Sequence, residues 1–168
     1  MKNILIISAT KGNNYLLANK LYDLLDDTVN KKIIILEEYE VPLFVASTYK
    51  SYKSKYKKNI SLITDELVKA EGIIICAPEY NGSIPPILTN IIAWISVSTE
   101  YWRDAFLNKV ALIATNSGGP AKKFNIAIKN QLEHLGVIVI PRYIIVNSKS
   151  PLNLESATKK IKQFLNYI

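Results

Sequence analysis

Five short apolar runs divide this chain: residues 4–7, 33–36, 73–75, 110–114 and 137–140. None of them alternates with polar residues. A strand with one wet face alternates; a strand covered on both faces has no need to. The runs therefore predict a parallel sheet buried between two layers of helices.

The segments between the runs carry the spacing of helices. Leu17, Leu21, Leu24 and Leu25 form one stripe, and Ile63, Leu67 and Ala70 a second. Leu88, Ile91, Ile92 and Ile95 form a third, entered through Pro85-Pro86, where proline suits a first turn. Phe124, Ala127, Ile128, Leu132 and Leu135 form a fourth, closed by Gly136 as a C-terminal cap. Leu154, Ala157, Ile161, Phe164, Leu165 and Ile168 form the last, with Asn153 as its N-cap. Strand and helix alternate five times, which is the pattern of a doubly wound α/β sandwich. Right-handed crossovers restrict its topology. The expected fold is three-layered and flavodoxin-like, with five strands in the order 2-1-3-4-5. At 168 residues, 1–168 reads as a single domain with a core of useful size.

Some chemistries are excluded early. One cysteine, Cys76, forbids an intrachain disulfide, and with one histidine, His134, it cannot build a Cys/His metal cage. Cys76 ends an apolar run and reads as a small buried hydrophobe. His134 stands near a helix end, where it suits the dipole. No apolar stretch reaches the roughly 20 residues that span a bilayer. The opening MKNILIIS lacks a small-residue cleavage site and reads as a first strand, so a cytoplasmic protein is expected. The formal net charge of +7 suits anionic ligands without naming one.

In an open parallel sheet, ligands sit beyond the strand ends where the strand order reverses. Here that point lies between strands one and three. The loops leaving them are SATKGNNY (8–15) and APEYNGSIPP (77–86), and the fourth strand adds TNSGGP (115–120). The first loop has neither the glycine spacing of a dinucleotide fingerprint nor that of a P-loop. It does carry Ser8, Thr10, Asn13 and Asn14 ahead of a helix, a good setting for a phosphate. Asn13 or Asn14 would also serve as the cap of that helix. The acidic cluster of a metal-binding receiver domain is missing from this end. A further segment, YKSYKSKYKKN (49–59), is rich in lysine and tyrosine and has no acid. A solvated loop or the basic start of a helix is the favoured reading. A clamp for a dinucleotide phosphate and a nucleic-acid patch are the alternatives.

PEYNGSIPPILTNIIAWIS (78–96) resembles the signature of the NADPH-dependent FMN reductase family. Pro78, Glu79, Tyr80, Asn81, Ser83, Pro85, Leu88, Asn90 and Trp94 carry the likeness. Ser8, Asn14, Leu17, Ala18, Pro42-Leu43 and Ser117-Gly118-Gly119 extend it over roughly residues 3–140. The resemblance implies a flavodoxin-like enzyme that binds FMN and uses NADPH or NADH. By it, Ser8, Thr10, Asn13, Asn14 and Tyr15 surround the ribityl phosphate end. Pro78, Glu79, Tyr80 and Asn81, with Asn116, Ser117, Gly118 and Gly119, edge the isoalloxazine ring. The backbone N–H groups of Glu79 to Asn81 are expected at the ring's polar edge. No side chain is expected as acid, base, nucleophile or metal ligand, because the flavin carries the chemistry.

The resemblance further implies a small electron acceptor (quinone, azo compound, metal oxyanion or free flavin) and a homodimer or homotetramer. Neither a nucleic acid nor a membrane is an expected partner. The chain departs from the family pattern in places. Thr10 stands near a usual arginine, Thr89 replaces a lysine, Ala93 replaces an acid, and the first loop is a residue shorter. Two other classes remain as alternatives. A flavodoxin-like electron carrier would need an acidic docking face, against the +7 charge. A non-catalytic binding module would use the Lys/Tyr segment.

Overall fold

In the computed structural model, which describes residues 1–168, the first four runs form parallel strands. They are β1 (Lys2–Ser8), β2 (Val29–Ile35), β3 (Gly72–Cys76) and β4 (Val110–Asn116). With β5 (Ile138–Val139) the order is β2-β1-β3-β4-β5, the doubly wound, flavodoxin-like arrangement expected. Helices α1 (Asn13–Leu24), α3 (Lys57–Lys69), α4 (Pro86–Ser96), α5 (Lys122–His134) and α6 (Leu154–Tyr167) cover it, and a short α2 (Tyr49–Lys55) precedes α3.

Side-chain alternation explains why the runs need no polar residues. Leu5, Ile7, Ile73, Ile75, Ala111 and Ile113 face a core shared with α3, α4 and α5. Ile4, Ile6, Ile74, Cys76, Leu112 and Ala114 face a second core shared with α1 and α6. Each fully buried isoleucine stabilises the fold by about 1.5–3 kcal/mol. The helical stripes lie on these cores as expected, except at Leu154, which begins α6 and is exposed. At the outer edge, β2 turns polar at Asn30, Lys31 and Lys32, residues that discourage further pairing.

The caps are partly as expected. Asn153 Oδ1 accepts from the Ser156 N–H at 2.8 Å, and Gly136 has φ +87° after α5. Neither Asn13 nor Asn14 caps α1; Gly12 holds that position without a side-chain bond. The Lys/Tyr segment is helical, comprising α2 and the start of α3, and no residue of α2 is buried. His134 ends α5 with its ring 5.4 Å from that of Trp102.

The fifth strand position differs from the single strand expected over 137–140. β5 pairs only with Val110 and Ala111, and β6 (Ile144–Val146) then pairs with Ala114 to Asn116. Pro141 between them has no N–H for the ladder, and Arg142 adopts φ +70°, which turns the chain aside. The break delivers the residues after β6 to the same sheet end as the loops after β1 and β3. No helix is long and apolar enough to cross a membrane.

Candidate flavin site

A crevice of about 560 Å³ lies at the point where the strand order reverses. The loops after β1, β3 and β4 line it. Thr10, Gly12, Asn13 and Asn14 come from the first, Pro78, Glu79 and Tyr80 from the second, and Asn116, Ser117 and Gly118 from the third.

The β1 loop supplies donors. The backbone N–H groups of Thr10, Gly12, Asn13 and Asn14 have no protein acceptor. They open the N-terminal turn of α1, where the helix dipole favours an anion. The Lys11 N–H is taken by Glu37 Oε2 at 2.5 Å, and its ammonium lies 3.6 Å from Glu38. Ser8 is fully buried below the loop and donates its hydroxyl to the Thr10 carbonyl at 2.7 Å. Asn14 is committed to the protein in both directions. Its Oδ1 accepts from the Asn116 N–H at 2.8 Å, and its Nδ2 donates to the Asn116 carbonyl at 2.9 Å. That pair fixes the start of α1 against the end of β4.

The stiff polar loop after β3 is built around a tight turn. Tyr80 and Ser83 exchange two backbone hydrogen bonds, at 3.1 and 2.9 Å. Between them Asn81 has φ +50° and Gly82 φ +70°, the pattern of a type I′ turn, for which Asn-Gly is the preferred pair. Of the three amides expected at the ring edge, only that of Asn81 lacks a protein acceptor. The Tyr80 amide closes the turn, and the Glu79 amide donates to Ser117 Oγ at 2.8 Å. The Glu79 carboxylate accepts from the Phe124 N–H of α5 at 2.9 Å. The loop is thus tied both to the β4 exit and to the helix that follows it.

Nine of the residues anticipated for the site line the crevice together. Ser8, Tyr15, Asn81 and Gly119 stand outside its lining, Ser8 beneath it and Asn81 at the turn tip. Gly12, Glu37 and Ser148 line it without having been anticipated. Gly12 lay within a loop already suspected, and its lack of a side chain was the available signal. Glu37 is on the short 3₁₀ turn after β2, and Ser148 follows β6; no local pattern marks either. Elsewhere, Asn90 Nδ2 and Trp94 Nε1 of the motif helix both donate to the Pro42 carbonyl, at 3.0 and 2.7 Å. Asn90 Oδ1 accepts from the Phe44 N–H at 2.7 Å, so these motif residues hold the chain's own segment 42–44. Lys50 and Lys53 of α2 and Lys57 of α3 line a separate depression, and no lysine of either helix lines the crevice.

The crevice fits FMN by its own chemistry. A Cβ added at Gly12, Gly118 or Gly119 would meet nothing within 4 Å, so a ligand can approach the backbone there. The open amides and the Thr10 hydroxyl suit a phosphate, and Pro78 with the half-exposed Tyr80 forms a wall for a flat ring.

Residues 1–150 match the family model described as NADPH-dependent FMN reductase. Over 87 residues the chain is 32% identical to the NADH:(hydroxy)cinnamate reductase subunit CrdA of Vibrio ruber, covering 50% of this chain and 39% of that protein. Over 80 residues it is 29% identical to a quinone reductase of Escherichia coli, covering 48% and 40% respectively. The match therefore spans less than half the length of either relative. Among solved structures, the flavoenzyme NAD(P)H:(acceptor) oxidoreductase FerB of Paracoccus denitrificans superposes with a TM-score of 0.78. That alignment covers 99% of this chain and 97% of the other, and at 17% identity it speaks for the fold alone.

Proposed function

The chain belongs to the NADPH-dependent FMN reductase family of oxidoreductases, and from that premise we propose that it holds FMN in the crevice at α1 and reduces a small acceptor, a quinone best of all. The observation that carries this reading is the set of acceptor-free amides at Thr10, Gly12, Asn13 and Asn14, on one crevice that two unobstructed glycines, Gly12 and Gly118, also line. The names of the two relatives support an aromatic or quinonoid acceptor, as does the exposed ring of Tyr80 at the crevice.

The chemistry FMN supplies when bound is hydride acceptance from NADPH or NADH and return of the electrons to the acceptor. The protein's part is to bind and orient. The amides of residues 12–14 and the Thr10 hydroxyl hold the phosphate. Pro78 and Tyr80 limit the ring on one side. The Asn81 amide, at the turn tip beside the crevice, is the free donor of its loop and would be the one to meet negative charge developing on a bound flavin. Gly118 and Gly119 let the backbone of the β4 loop come close. Glu79 serves the site by tying the loop to α5, its carboxylate accepting from the Phe124 N–H.

Protein mixed with FMN and desalted should keep the visible flavin band. Anaerobic NADPH or NADH should bleach that band within seconds, and added quinone should restore it faster than azo dye, chromate or free FMN. A colourless protein that also fails to bind FMN in titration would sink the reading. Bleaching that takes hours would indicate an electron carrier instead.

A further inference from the structure

A second crevice of about 500 Å³ runs along the flank of α1. It shares Asn13, Asn116 and Ser148 with the flavin crevice, so it begins where the flavin phosphate is proposed to sit. Its own lining is Leu16, Lys20, Asn147, Pro151 and Leu152, with Leu17 and Val146 beneath. Leu16 is 59% exposed, an unusual place for a leucine on a helix that buries Leu17 and Leu21. Lys20 lies one turn further along the same helix and forms no ion pair.

The opposite wall is preformed. Asn147 and Ser150 exchange two backbone hydrogen bonds at 3.0 and 3.1 Å. Asn147 Oδ1 accepts from the Lys149 and Ser150 amides at 2.9 and 3.0 Å, and Nδ2 donates to the Gly119 carbonyl at 3.3 Å. The volume falls within the roughly 300–1,000 Å³ usual for small-ligand clefts. A lone phosphate would leave the apolar lining unmatched, and a purely apolar ligand would leave the Lys20 ammonium unmatched.

We propose that this crevice is an adenylate subsite, an inference that rests on the flavin reading of its neighbour. Leu16, Pro151 and Leu152 offer apolar surface to a purine. Lys20 offers charge to a phosphate continuing from the one at α1. The adenylate arrives either as the distal half of FAD or as the adenylate end of the nicotinamide dinucleotide.

Fluorescence titrations with FMN and FAD, on wild type and on Lys20→Glu and Leu16→Asp, separate the cases. Both residues are exposed, and circular dichroism checks that the variants fold. If FAD is the source, wild type binds FAD about tenfold tighter than FMN, and each substitution removes most of that preference. If the nicotinamide is the source, the two flavins bind equally. Adenosine monophosphate then binds the FMN-loaded protein in calorimetry, and both variants lose that binding. The inference alone is overturned if FMN binds, FAD binds no tighter, and adenosine monophosphate does not bind the FMN-loaded protein. It is equally overturned if either preference survives both substitutions. Failure of both flavins to bind overturns the flavin reading and this inference together.

Discussion

Cys76 shows what burial does to one side chain. It ends β3 fully enclosed, and that burial pushes its thiol far above the ordinary value of 9.0. The unfolded chain releases this proton near pH 9 while the folded chain keeps it. The native state then binds more protons, so the stability this contributes is complete below pH 9 and is lost as pH rises above it. Between neutral pH and about pH 10, the urea midpoint of wild type should fall more than that of Cys76→Ala. A chromogenic thiol reagent should label Cys76 only after unfolding; labelling of the native protein would contradict its enclosure. The inert role was legible in the sequence, because an apolar run flanked it. The role of Asn14 was not. Its residue type suits a cap or a phosphate ligand equally, and only the fold shows that Asn116, 102 positions away, holds both ends of its amide.

Among the elements, α5 depends on a residue outside itself. Its N-cap is Ala121, at φ +48°, with no side-chain acceptor to offer. Glu79 supplies one to the third residue of the helix, Phe124, from the loop after β3. Glu79→Ala should therefore lower stability by about 1–2 kcal/mol in urea denaturation, the worth of a lost cap. It should also weaken FMN binding, since two walls of the crevice come apart. Glu79→Gln keeps an acceptor oxygen and should retain most of both. Were Glu79 a proton donor, Glu79→Gln would instead abolish turnover with folding and flavin affinity intact. The PEYN loop announced its stiffness through Asn-Gly and three prolines, and the type I′ turn followed. The break between β5 and β6 was harder to see. Pro141 marked it, but residues 137–140 alone satisfied the pattern of a strand.

For the whole molecule, little of the +7 charge reaches the lining of the flavin crevice, and Lys11, between the lining residues Thr10 and Gly12, is paired with Glu38. The lining of the crevice includes Glu37 and Glu79 and no lysine or arginine. Attraction of the FMN phosphate must therefore act over distance, and salt screens such attraction beyond a Debye length of about 10 Å at 0.1 M. FMN affinity should fall several-fold between low salt and about 1 M, with riboflavin affinity nearly unchanged. An FMN affinity indifferent to salt would mean that local amides alone hold the phosphate.

The sequence by itself determined the layered sheet and the polar loops that leave its strands, which follow from local period and run length, displayed by a linear chain. Crossover handedness narrowed the strand order, and the flavodoxin-like order expected is the one observed. The tertiary structure decided which groups meet at that point. Glu37 and Ser148 enter the crevice, Asn14 is drawn off to Asn116, and Glu79 turns to Phe124. Each of these depends on where a crossover lands relative to another strand's end. No spacing within a single loop encodes that distance.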